Sequence, residues 1–141
     1  MAIQPIRIAD ELAKRPFFRG RNPQNEAQAG QAFARLGKVN NGEIFVGHYQ
    51  GHTSWERHGQ GDEIVQVLDG MTRITLLPDA EPGGPAETLT LEAGMLVVVP
   101  QGVWHRFDTP EGVTVMTSTP LPTDHSQADD PRVAVTVTAG D

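Results

Sequence analysis

From Gly42 onward the chain is broken into short runs rich in Val, Ile, Thr and Phe, separated by Gly, Pro and Asp. That rhythm is the strongest constraint on the fold. β-branched and aromatic residues suit a pleated strand, and the residues between them supply turns. It predicts strands over residues 43–50, 53–58, 63–68, 71–77, 87–91, 95–99, 103–107, 112–119 and 132–138. Regular short strands with turn signals between them make an all-β sandwich or barrel. The stretch from Pro78 to Pro85 reads as a loop between two halves.

Residues 1–41 read differently, as an N-terminal arm. Residues 9–15 suit one or two helical turns. Asn22-Pro23 is a helix-start pair, Ala29, Phe33 and Leu36 recur at helical spacing, and Gly37 closes the segment. These signals predict a short helix over about 23–36. The barrel is expected over 42–119, and 120–141 as a tail carrying a terminal strand. Ile64 with Leu68, and Val65 with Val67, make one strand apolar on both faces; Met95 to Val99 is apolar throughout. Such strands need a cover on each side. The barrel interior is one cover, and the arm or a second subunit is the other. A homodimer is therefore expected, with the arm or the strand 132–138 crossing the interface.

Several classes are excluded. The chain has no cysteine, so disulfide scaffolds, thiolate metal sites and cysteine nucleophiles drop out. Net charge is −7, unevenly placed: residues 1–38 carry seven Lys/Arg and three Asp/Glu, residues 39–141 four and fifteen. An acidic body is a poor nucleic-acid surface. The basic arm reads as lying on that acidic body. No leader-like apolar segment opens the chain and no run is long enough to span a membrane, so a cytoplasmic protein is expected. Neither a Gly-x-Ser-x-Gly elbow nor a phosphate-binding loop is present.

The chemistry concentrates in Trp55-Glu56-Arg57-His58-Gly59-Gln60-Gly61-Asp62-Glu63. Side chains two apart on a strand share a face, so Glu56 points with His58, and Trp55 with Arg57 points away. The Gly-rich turn reverses the chain, and Glu63 opens the next strand facing back towards His58. His105 follows on the run 103–107. Three or four nitrogen and oxygen donors meeting in a barrel mouth suit a divalent ion such as Fe, Mn, Ni or Zn. His48 shares parity with Ile44 and Val46 and reads as pocket lining or surface. His52 sits at a bend. His125, beside Asp124 and Asp129, reads as part of a solvated tail, and Tyr49, Trp55, Trp104 and Phe107 as packing residues.

Two segments together resemble the paired motifs of the cupin superfamily, in the form of small single-domain bacterial cupins with a Trp-Glu-x-His start. In the first, Gly51 precedes the ligand strand, His58 is followed by four residues and Glu63, and Gly70 closes the segment. In the second, Gly94, Pro100, Gly102 and His105 keep the family's order and spacing. The resemblance covers about residues 42–119. It implies a jelly-roll barrel, also called a double-stranded β-helix, binding one divalent metal per chain. The ligand set carried over by position is Glu56, His58, Glu63 and His105, with Glu56 standing where the family has its first His. As a ligand, Glu56 makes the site more anionic. As a non-ligand it would be a general base or a substrate contact. Thr109 replaces the usual Asn at the end of the second motif. The expected function is a metalloenzyme acting on a small organic molecule, dioxygenase-like or isomerase/cyclase-like. The alternative is a cupin module that binds a small molecule or metal without chemistry, or a structural protein with a vestigial site.

Overall fold

The computed structural model describes residues 3–133 and 138–140. One helix, α1 (Ile8–Ala13), starts the arm, where residues 9–15 were expected to turn helically. Among the described residues ten strands then form one sheet: β1 (Phe18–Arg21), β2 (Phe33–Val39), β3 (Gly42–His52), β4 (Trp55–His58), β5 (Glu63–Leu77), β6 (Glu87–Glu92), β7 (Leu96–Val99), β8 (Trp104–Pro120), β9 (Thr123–Ser126) and β10 (Thr138–Gly140). The path β1-β3-β8-β4-β9-β10 is extended by β2 on β3, and β5 joins β8 to β6 and β7. The sheet curls without closing. The all-β jelly-roll expectation holds. Among the described residues no helix is long and apolar enough to cross a membrane.

Two strands are longer than the sequence rhythm predicts. Residues 63–68 and 71–77 are one strand, β5, and residues 104–107 and 112–119 belong to another, β8. The Gly-containing breaks between them are bends, not turns. Gly70 lies opposite Val113 at a register shift, with φ +76° at Gly70 and +114° at Gly112. A Cβ on Gly70 would run into the Gly112 carbonyl oxygen. Glycine lets two paired strands bend together here, as at other sheet corners. The bend turns the inner faces of β5 and β8 around a core of Tyr49, Val65, Val67, Ile74, Val113 and Val115.

The arm corrects the expected helix over 23–36. Helical structure is limited to α2 (Glu26–Ala29) and a 3₁₀ turn (Gly30–Ala32). Residues 33–39 are strand β2, in register with β3 at Phe33 opposite Gly47 and Ala34 opposite Val46. Pairing with β3 overrides the local helical spacing. Gly37 sits at a bulge instead of capping a helix. Asn22 and Asn25 make a tight turn with their own side chains, Asn22 Oδ1 accepting from Gln24 N and Asn25 Oδ1 from Asn22 N. The helix start is thereby displaced to Asn25.

The arm also covers part of the sheet's outer face. α1 packs on β2 and β3, where Val46 and Ala34 are buried. His48 faces this outer side: its Nε2 meets the Arg15 carbonyl at 3.1 Å, and its ring stands edge-on to Phe17. It does not line the interior. Ile64, Leu96 and Val98 on β5 and β7 are 43–57% exposed, so the arm leaves that apolar face open.

The segment expected to be a solvated tail is instead built in. β9 pairs antiparallel along the whole of β4, from Trp55 opposite Ser126 to His58 opposite Thr123. Arg57 donates to Asp124 at 2.9 and 3.0 Å on the outer face. Pro131–Val133 is a turn. There Arg132 donates to the carbonyls of Asp79 and Gly84, tying the expected 78–85 loop to the C-terminal segment. Of the expected strand 132–138, residues 134–137 lie outside the described residues. Thr138–Gly140 pairs with β9.

Candidate metal centre

His58 ends β4, Glu63 opens β5, and the turn between them is tied to the loop that precedes β8. Gly102 N donates to His58 O at 2.9 Å, and Gln101 N donates to Asp62 Oδ1 at 2.8 Å. These two bonds bring the Gly-rich turn against Pro100–Gly102, so His105 arrives beside His58. The imidazole centroids are 5.1 Å apart. Glu63 Oε1 lies 3.3 Å from His58 Nε2 and 3.1 Å from His105 Nε2.

Every atom of this group except the converging ones is engaged. The His105 Nδ1 meets the Val103 carbonyl at 2.9 Å. A carbonyl only accepts, so Nδ1 carries the proton and a neutral His105 turns the Nε2 lone pair inward. His58 Nδ1 pairs with Thr123 Oγ1 at 3.1 Å. Glu63 Oε2 accepts from Thr119 Oγ1 at 2.7 Å, and Thr119 pairs with Thr117 at 2.7 Å. What remains is His58 Nε2, His105 Nε2 and Glu63 Oε1, all buried and all without a hydrogen-bond partner. One donor atom from each residue lies within 4.8 Å of the others. Leaving three polar atoms unpaired is costly unless something binds them. Two imidazoles and a carboxylate, each oriented by a further hydrogen bond, fit a divalent metal ion.

The electrostatics reflect how closely the three groups converge. Burial pushes the Glu63 carboxyl up, but the close imidazoles of His105 and His58 overrule it and hold it well below the usual carboxylate range. For His105 burial works downward, and the Glu63 carboxylate outweighs it, raising the imidazole above its ordinary value.

Glu63 also lines a cavity of about 390 Å³, within the ordinary range for small-molecule sites. Phe33, Phe45, Phe107 and Val115 supply apolar wall; Thr117, Thr119 and Thr123 line it beside Glu63. Glu56 lines the same cavity, directly opposite His105 on β8 and His125 on β9. It shares the His58 face, as strand parity predicts, and is half-buried. It is not among the three side chains whose donor atoms converge.

Several contributors escaped sequence reasoning. His125 lines the cavity, on β9 directly opposite Glu56. Tyr49, expected only to pack, also lines it, and burial pushes its phenol up to about 12 against the opposing pull of Arg21. Arg21 and Glu26 come from the arm, where nothing in the strand rhythm pointed to a site. His52 lies on an outer cleft with Trp55 and Arg106, away from the triad.

No family model matches the sequence, and no curated protein matches it. Solved structures do match the fold. A cupin-2 domain protein from Shewanella frigidimarina superposes with a TM-score of 0.52 at 24% identity, covering 63% of this chain and 79% of its own. A protein from Neisseria meningitidis gives a TM-score of 0.59 at 17% identity, over 87% of this chain and 100% of its own. Hydroquinone 1,2-dioxygenase from Sphingomonas sp. TTNP3, solved with 4-hydroxybenzoate bound, gives 0.51 at 18% identity; this chain spans 64% of that one and 62% of itself is covered.

Proposed function

We propose that this chain, whose fold is that of the cupins, holds one divalent metal ion on His58, Glu63 and His105 and uses it to transform a small organic molecule. The observation that carries this reading is the trio of buried, unpartnered donor atoms at the edge of a cavity large enough for a substrate. Bound there, the metal would supply Lewis acidity, or for Fe or Mn also electron transfer. The reaction is dioxygenase-like or isomerase/cyclase-like. The chain's own part is to orient the ligand imidazoles through Val103 and Thr123, fix Glu63 through Thr119, and exclude water with Phe33, Phe45 and Phe107. Glu56 serves as a fourth ligand or, failing that, as the base that takes a substrate proton. We further propose a homodimer in which a second copy covers Ile64, Leu96 and Val98.

Elemental analysis after growth with Fe, Mn, Ni and Zn supplied tests the metal. Dioxygen uptake and product analysis with catechols and diketones test the chemistry. A metal-loaded protein inert to all substrates would favour a non-catalytic binding module.

A further inference from the structure

The arm supplies charged residues to the cavity wall. Strand β1 runs parallel to β3, with Arg21 opposite Gly51. Gly51 has φ +131°, and a Cβ there would collide with the Arg21 backbone, so this glycine lets β1 dock. Docking places the Arg21 guanidinium 4.4 Å from the Tyr49 ring centroid and 5.4 Å from that of Phe33. Its side chain is only 11% exposed. Glu26 holds two of its nitrogens: Nη2 donates to Oε2 at 2.7 Å and Nε to Oε1 at 3.4 Å. The third, Nη1, has no partner among the described residues.

We infer that Arg21 is the specificity-determining residue of the cavity, donating from Nη1 to an uncharged acceptor oxygen on a planar, hydroxylated aromatic or enolic ligand. The inference rests on the metal reading for the ligand's other end. Planarity follows from the walls of Phe33, Phe45, Phe107 and Tyr49. The lack of charge follows from the ion balance. Arg21 is matched by Glu26, and Arg35 pairs with Glu43 at 3.1 Å. Glu56 and Glu63 are left to balance a divalent ion. A carboxylate ligand would therefore bring an uncompensated charge beside Glu56, whereas a ketone or phenol oxygen would not.

Two probes of nearly equal shape separate these cases: 4-hydroxyacetophenone, which is neutral, and 4-hydroxybenzoate, which is anionic. Calorimetric titration of the Zn2+-loaded protein is expected to favour the ketone. Arg21→Gln should weaken ketone binding roughly tenfold or more, the scale of a hydrogen bond from a charged donor, with Zn2+ content unchanged. Glu26→Gln should move the preference towards the benzoate, because it releases the guanidinium charge; misfolding would not produce that reversal. Wild type that binds neither probe overturns the proposal. So do an Arg21→Gln protein with unaltered affinity for the ketone and a Glu26→Gln protein that keeps the wild-type order. Failure to take up Zn2+ overturns the metal reading alone, and the same comparison on metal-free protein then decides the role of Arg21.

Discussion

His105 Nε2 and Glu63 Oε1 face each other at 3.1 Å in the interior, and neither atom has a hydrogen-bond partner. The pair is oriented from behind, His105 by the Val103 carbonyl and Glu63 by the Thr119 hydroxyl. If this arrangement is a ligand set, the orienting groups matter nearly as much as the ligands. His105→Ala should abolish binding of a divalent ion. Thr119→Val, which keeps the shape and removes the hydroxyl, should leave a folded protein with metal affinity lowered about 10- to 100-fold. Competition titration against a chromogenic chelator measures both. Wild-type protein at a hundredfold excess of metal over its dissociation constant should gain about 3 kcal/mol of stability.

Glu56 is opposite His105 in register but outside the converging trio. Glu56→Gln and Glu56→His divide its roles. If Glu56 ligates, Gln should weaken metal binding, and His should retain the metal while favouring softer ions. If it is a base, Gln should keep metal occupancy and abolish turnover. Metal content and rate, measured on the same preparations, separate the two.

Tyr49 is the chain's one tyrosine, so its ionisation can be followed by phenolate absorbance without interference from another. Its folded value of about 12 stands above the usual 10.0. The proton is therefore held more tightly in the folded state. Stability from this group is intact below pH 10 and falls as pH rises through 12, by about 3 kcal/mol over the two units. Chemical denaturation at pH 9, 10.5 and 11.5 should show that decline, and unfolded protein should titrate near 10.

Gly70→Ala tests the bend shared by β5 and β8. A Cβ there meets the Gly112 carbonyl oxygen, and φ is +76°. The expected loss is about 2 kcal/mol or more. Thermal melting should register it, with Gly94→Ala as a comparison. Gly94 has similar φ, +88°, but open space around its Cβ position, so a smaller loss is expected.

Val98 and Ile64 are directly opposite each other and half-exposed on the outer face of β7 and β5. An apolar patch of this kind marks an interaction surface when it is contiguous. Val98→Lys should convert a dimer to a monomer in light scattering at micromolar concentration while leaving metal content unaltered.

His58 and Glu63 were legible in the sequence from strand parity and the Gly-rich turn between them. His105 lies far along the chain, and only the resemblance of its segment to the second cupin motif joined it to them. The cavity wall was not legible. Phe33 and Arg21 enter it because β2 and β1 pair with β3, and a pairing partner is invisible to a local window. His125 was hidden for the same reason: a four-residue strand between a proline and acidic residues carries too little alternation to stand out from a polar loop. The bends at Gly70 and Gly112 were seen as breaks, because a glycine that bends a strand and a glycine that ends one look alike until the neighbouring strand is known.

The bonds from Gly102 N to His58 O and from Gln101 N to Asp62 Oδ1 join two stretches that lie far apart along the chain. An ion held by His58, Glu63 and His105 would make that junction a cross-link in a chain that has no cysteine to form one. Because the ion binds only the folded arrangement, it strengthens that junction by mass action, where a disulfide would act on the unfolded chain. Unlike a disulfide, this clasp opens to a chelator. Proteolytic resistance of the whole sheet, and not only of the cavity, would then follow the supply of metal.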